Sequence, residues 1–167
     1  MPELTLFEDY TRKEIHDIFA PDTPFAPGAG GWGLHGIVRI PGRPGDWVFM
    51  VTIGREMGDH TFDEGISASG LLRWQSQPAQ GLDDGRVKEW VEHDDDLNTI
   101  YLFLRTTNVR ADVRLPYTYL GRLKYVDHDV EREQPVHFLW QLLTGRLIKP
   151  PWTACNWCSM IRAPCQK

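Results

Sequence analysis

Short apolar runs separated by turn residues dominate the hydropathy pattern of this chain. Residues 36–40 and 47–53 read as strands. Pro41-Gly42-Arg43-Pro44-Gly45-Asp46 between them reads as a hairpin turn. Residues 99–105 are apolar almost throughout, which predicts a central strand covered on both faces. Residues 71–75 predict another strand and residues 86–91 a weaker one. Residues 117–126 alternate apolar and polar over their second half, as a half-exposed strand does. Residues 136–142, after Pro135, fit a strand better than a helix, although their length allows either. Residues 60–66 begin as a short extended piece and run into a loop.

One helix stands out, over residues 10–19. Ile15, Ile18 and Phe19 fall on one face at i, i+3, i+4, Asp9 or Thr11 can cap it, and Pro21 and Pro24 stop it. Residues 25–33 form a glycine-rich stretch around Trp32. It lacks the Lys-Ser/Thr ending of a phosphate-binding P-loop, so it reads as a mobile surface loop, with Trp32 at a ligand-contacting tip as the alternative. Helices do not alternate with strands, so parallel βαβ units are not expected. The elements together predict an α+β, β-rich fold. It is a compact single domain over residues 4–143, a barrel-like mixed or antiparallel sheet with one N-terminal helix and minor helical decoration. Residues 144–167 are a C-terminal tail.

Composition agrees with this reading. Hydrophobic residues make up 41% and charged residues 25% of the 167, a globular balance. Fifteen glycines and twelve prolines fit many turns and short elements. The formal net charge of -5 argues against a non-specific polyanion binder. It leaves room for a local basic patch, and arginine, which suits bidentate recognition of phosphates and base edges, outnumbers lysine. The opening residues do not form a signal peptide and no apolar run reaches membrane-spanning length, so a soluble, cytoplasmic protein without a membrane partner is expected. Three cysteines, Cys155, Cys158 and Cys165, cluster near the end and fit a reducing compartment.

Enzyme chemistry finds little support in the pattern. Asp83-Asp84 and Asp94-Asp95-Asp96 are acidic, but they lie in turns where solvated charge is the ordinary explanation, and Glu131-Arg132-Glu133 is similar. No motif sets two metal-binding groups in register for a metal-dependent nuclease. Ser76 has no evident base and no Gly-x-Ser-x-Gly elbow around it. Cys155-Asn156-Trp157-Cys158 with Cys165 is three-quarters of a zinc site, wanting a histidine such as His128 or His137. Free thiols are the simpler reading, and no cofactor is implied.

Binding chemistry is concentrated in Leu71-Leu72-Arg73-Trp74-Gln75-Ser76-Gln77. Arg73 offers a guanidinium to phosphate, Trp74 an indole for stacking, and Gln75 and Gln77 amides that read donor–acceptor edges, with the Ser76 hydroxyl beside them. On a strand, Arg73 and Gln75 share the face opposite Trp74. Tyr10 and Arg12 at the start of the helix, Arg105 at the end of the central strand, and Trp32 and Arg55 complete the candidate set for DNA contact. The alternative for each is structural, with Trp74 in the core and the arginines paired to local carboxylates.

In consistent order, several segments resemble a bacterial domain of unknown function. It is found at the C-terminal end of superfamily II DNA helicases and beside nuclease modules of restriction-type proteins. The segments are Tyr10-Thr11-Arg12-Lys13-Glu14-Ile15, Thr52-Ile53, His60-Thr61-Phe62-Asp63, Leu72-Arg73-Trp74-Gln75-Ser76-Gln77, Ile100-Tyr101-Leu102-Phe103-Leu104-Arg105 and Tyr119-Leu120-Gly121-Arg122-Leu123-Lys124-Tyr125. By looser similarity the chain looks like PUA- and SRA-like barrels that read modified DNA. The resemblance implies a non-catalytic reader of a modified base or backbone in a restriction, defence or helicase setting, partnered by DNA and by a helicase or nuclease. A protein-interaction module that docks such an effector is the alternative, and a metal-dependent nuclease the lesser one. Residues 144–167 fall outside the resemblance, and the chain itself holds no helicase or nuclease domain.

Overall fold

The structure is a computed structural model that describes residues 3–53, 56–57, 60–61, 65–106, 109–110 and 113–143, with 56–57, 60–61 and 109–110 described by backbone alone. Arg55, the three cysteines and the expected tail over 144–167 lie outside the described residues. In chain order the elements are β1 (Asp9–Tyr10), α1 (Arg12–Phe19), α2 (Gly30–Leu34), β2 (Ile37–Arg39), β3 (Trp47–Thr52), β4 (Glu56–Met57), β5 (His60–Thr61), β6 (Gly65–Ile66), β7 (Leu71–Gln75), α3 (Gly85–Val91), β8 (Ile100–Arg105), β9 (Val109–Arg110), β10 (Val113–Arg114), β11 (Tyr117–Glu133) and β12 (Val136–Leu142). The fold is strand-rich with few helices, and its main sheet is mixed, as expected. By its internal contacts the chain divides into two compact units, Met1–Ile53 with Asp95–Arg122, and Gly54–Asp94 with Leu123–Lys167.

The first unit is built on strand order β2-β3-β8-β11, with β1 also paired to β11. β2 and β3 form the expected antiparallel hairpin. β3 and β8 run parallel, from Trp47 opposite Ile100 to Thr52 opposite Arg105. Every β3 residue from Trp47 to Val51 is buried, and β8 is nearly so, which is why both read as continuous apolar runs. One face carries Val48, Met50 and Phe103, and on it pack Ile15 and Phe19 of α1 with Trp32 and Tyr117. α1 begins at Arg12, not residue 10: Thr11 is its N-cap, its Oγ1 accepting from the Glu14 amide at 3.2 Å while Glu14 Oε2 accepts from the Thr11 amide at 2.7 Å. The Thr11 amide foremost, then the Thr11 hydroxyl, which donates to Glu14 Oε2 at 2.8 Å, hold the Glu14 carboxyl below its ordinary value.

Two expectations for this unit are corrected. Tyr10 is a strand residue opposite Tyr117 and not part of the helix. The glycine-rich stretch is not simply a loop, because residues 30–34 form α2 and Trp32 is buried. A Cβ on Gly33 would lie 1.8 Å from the Ala26 carbonyl oxygen, so the composition that suggested mobility here permits a close backbone approach.

The second unit runs β11-β12-β7-β6, antiparallel throughout. Leu72, Trp74, Phe138 and Trp140 point into its core. α3 covers them, and it corrects the weak strand expected at residues 86–91. Asp84 caps it, Oδ1 accepting from the Arg86 amide at 2.9 Å, and Val87 and Trp90 are its buried stripe at i, i+3. β11 continues to Glu133, well past the expected end at residue 126, because its polar second half lies along β12.

Candidate functional site

Four of the expected contact residues fall in the first unit, around the buried ring of Tyr117. Arg12 donates from Nη1 to the carbonyl oxygens of Trp32 at 3.1 Å and His35 at 2.8 Å, and from Nη2 to the Tyr117 hydroxyl at 3.0 Å. Arg105 donates from Nε to Thr52 Oγ1 at 3.0 Å and from Nη1 to the Leu115 carbonyl at 2.9 Å, with its guanidinium 4.1 Å from the centre of the Tyr117 ring. Tyr10 sets its ring edge-on to Phe103 at 5.7 Å and accepts from the Thr5 amide. Trp32 stacks on Phe19, 6.4 Å between centres and 6° between planes. The fold thus brings Tyr10, Arg12, Trp32 and Arg105 together, and it engages the donors of both arginines with the protein's own acceptors.

In the second unit, β7 separates its residues by face as the strand period requires. Leu72 and Trp74 are buried, Arg73 is exposed, and Gln75 is half-buried. Trp74 stacks on Phe138 at 6.3 Å and meets the Trp90 ring at 6.2 Å and 66°. Ser76, 3% exposed, joins β7 to β12. Its Oγ accepts from the Val136 amide at 2.9 Å and donates to the Gln80 carbonyl at 3.1 Å, and its amide donates to the Val136 carbonyl at 2.9 Å. Gln77 is exposed, and its backbone amide donates to Gln80 Oε1 at 3.2 Å. Of the five consecutive candidates, Trp74 and Ser76 hold the fold, and Arg73, Gln75 and Gln77 remain toward solvent.

Arg73 borders a cleft of about 380 Å³. An irregularity in β11 creates it. His128 sits opposite Phe138 and Glu133 opposite Val136, so five steps along β11 are matched by two along β12. The surplus residues leave the ladder, and Asp129 and Arg132 border the cleft together with Asp127 and His128. β12 supplies His137 and Leu139. Register places His137 opposite Gln75 and Leu139 opposite Arg73 and Asp127, so these side chains share the face of Arg73. Trp74 and Phe138, whose side chains are buried on the other face, and His128, paired with Phe138, line the cleft as well.

Charges around this cleft are partly paired. Arg132 Nε donates to Asp129 Oδ2 at 2.6 Å, and the Glu131 amide donates to Asp129 Oδ1 at 2.9 Å. The Arg132 bond, then the amide bond, hold the Asp129 carboxyl below its ordinary value. Tyr125 shares a 2.5 Å hydrogen bond with His128 Nδ1, and burial, with Asp127 adding to it, pushes the Tyr125 phenol up. Among the described residues Arg73 and Gln75 make no side-chain hydrogen bond or ion pair. No group of three or more metal-ligating side chains among the described residues is placed to hold an ion.

Asp127, His128, Asp129, Arg132 and His137 were not expected at the site of Arg73, from which they stand more than fifty positions away in sequence. The one local signal was the pair of histidines on neighbouring apolar-polar strands. Comparison with models of known protein families gives no match, and neither does comparison with functionally characterised proteins.

Proposed function

We propose that this chain is a non-catalytic reader of DNA carrying a modified base or backbone, and that it meets the duplex at the Arg73 cleft. The observation that carries the reading is Arg73 itself. It is an exposed guanidinium in the middle of a strand, uncommitted among the described residues, with the Gln75 amide two positions along on the same face. A guanidinium can grip phosphate or a base edge in bidentate fashion, and an adjacent amide can read donor–acceptor pattern. The resemblance stated above supplies the setting, in which a helicase or nuclease is the effector. Arg12 and Arg105, already engaged, play no part in this contact surface.

The test is a binding screen over plain, methylated, hydroxymethylated and phosphorothioated duplexes at low salt. Binding that falls steeply with salt and is lost in Arg73→Ala, with folding intact, is the expected result. No binding to any duplex would sink the reading. A docking module for a protein partner is favoured instead by Val126 and Val130, 45% and 69% exposed on β11. Indifference to DNA, joined to loss of a co-purifying partner in Val130→Asp, would decide for it.

A further inference from the structure

We propose that the cleft reads one G·C base pair through the major groove of the duplex, with Arg73 on the guanine and Asp127 on the paired cytosine. The site rests on the reading of the cleft as the place where the chain meets DNA, and it names what is read there.

A single row of side chains points to this. Leu139 lies opposite Arg73 on β7 and opposite Asp127 on β11, so the three stand in one line across three strands. Gly65 of β6 lies opposite Arg73, and a Cβ there would meet nothing within 4 Å, so the arginine end of the row is open. Arg73 and Asp127 are exposed, and Leu139 between them is half-buried. Two strand intervals set the Cα atoms of the charged pair roughly 10 Å apart. Among the described residues the two form no ion pair with each other or with any third group. Asp127 Oδ1 accepts from the His128 amide at 2.8 Å, and Oδ2 accepts nothing among the described residues. Arg132, the other cation of the lining, is bound to Asp129 at 2.6 Å. The row therefore offers a fork of donors at one end and an acceptor at the other.

That order selects among ligands. A phosphate drawn to Arg73 is opposed by the Asp127 carboxylate. A base-pair edge is not, provided that it turns acceptors to Arg73 and a donor to Asp127. A G·C pair does so in the major groove, where guanine N7 and O6 accept and the cytosine N4 amino group donates. An A·T pair sets its N6 donor between the N7 and O4 acceptors, so an acceptor meets the carboxylate whichever way the pair lies. The row also fits the groove, which is about 12 Å wide. Once the pair forms, one N4 hydrogen is left for the groove. A methyl on N4 takes its place, whereas a methyl on C5 leaves it. The modification compatible with this row thus sits at cytosine C5 or in the backbone.

Competition binding of the full chain at low salt tests this. The duplexes are of one length and carry plain cytosine, 5-methylcytosine or N4-methylcytosine throughout, or A·T pairs alone, each with ordinary and with phosphorothioate linkages. The tightest binding should fall on plain cytosine or 5-methylcytosine, with the N4-methylcytosine and A·T duplexes about ten- to a hundredfold weaker. Asp127→Ala should close the gap between the N4-methylcytosine duplex and the tightest binder. Should that variant fail to fold, Asp127→Asn keeps an acceptor for the His128 amide and turns an amino group toward the N4 donor, so it too should lose the preference. An unaltered chain that binds N4-methylcytosine as well as any other duplex, or a preference that survives in the folded Asp127 variants, would overturn the proposal and leave the DNA reading standing. Binding to none of these duplexes defeats the DNA reading itself, and this site with it.

Discussion

Replacing Trp74 by alanine should damage stability far more than replacing its neighbour Arg73, although both border the same cleft. Trp74 is 9% exposed, stacked on Phe138 at 6.3 Å and set against Trp90 at 6.2 Å. An indole buries roughly 150–250 Å², and at about 25 cal/mol per Å² its burial stabilises by about 4–6 kcal/mol as an upper bound. Alanine keeps part of that, and truncations of this kind cost about 3–5 kcal/mol. Arg73 is exposed, with no partner among the described residues to orphan, so Arg73→Ala should stay within about 0.5 kcal/mol. Urea unfolding followed by far-ultraviolet circular dichroism separates the two. With a slope of about 2 kcal/mol per M, Trp74→Ala moves the midpoint down by about 2 M and Arg73→Ala hardly moves it. Equal shifts in the two variants would refute the assignment of opposite faces along β7. So would a folded Trp74→Ala chain with an unchanged midpoint.

Ser76→Ala orphans the buried Val136 amide and should cost about 1–3 kcal/mol, read as faster hydrogen exchange at that amide. Arg12→Lys should not rescue Arg12→Ala, because an ammonium cannot reach the Trp32 and His35 carbonyls and the Tyr117 hydroxyl together; thermal midpoints of the two variants should fall alike. Burial first, then Tyr101, pushes the Tyr119 phenol up to about 12. The unfolded chain releases this proton near pH 10, at the ordinary tyrosine value. The stability that Tyr119 contributes is therefore complete below about pH 10 and lost progressively as pH rises toward about 12, which urea midpoints across that window should trace. Tyr119→Phe should remove that part of the alkaline loss.

The strand pattern was legible wherever burial and period agreed. β3, β7, β8 and β12 lie within a residue of their expected bounds, because each is apolar on one face or both. The opposed faces of Arg73 and Trp74 followed from the period of two. α3 was missed because Val87 and Val91 invited a strand, although Asp84 ahead of Val87 and Trp90 is a helix start. The polar half of β11 was missed because a solvated charge run and an exposed strand share a composition. Arg12 reaches the Tyr117 hydroxyl across 105 positions, and no local pattern carries a contact of that separation. The cleft was illegible for the same reason, since a surplus in β11 relative to β12 exists only once the two strands pair.

The parallel pairing of β3 with β8 has a consequence for the order in which the protein can be made. Thr52 ends one strand and Ile100 begins the other, and residues 54–94 of the second unit are translated between them. The first unit therefore cannot close its own centre until the ribosome has passed Arg105, which at about 5–20 residues per second leaves β3 waiting for seconds. The second unit waits longer, since β12 pairs with a β7 made some sixty residues earlier. Neither unit is one uninterrupted stretch of chain, so cutting between Ile53 and Gly54 yields no foldable half. A split along the unit boundaries must instead rejoin Ile53 to Asp95 through a new linker, and it also cuts β11 between Arg122 and Leu123. Chaperone dependence during synthesis, and its relief in such a rewired chain, would make this interleaving measurable.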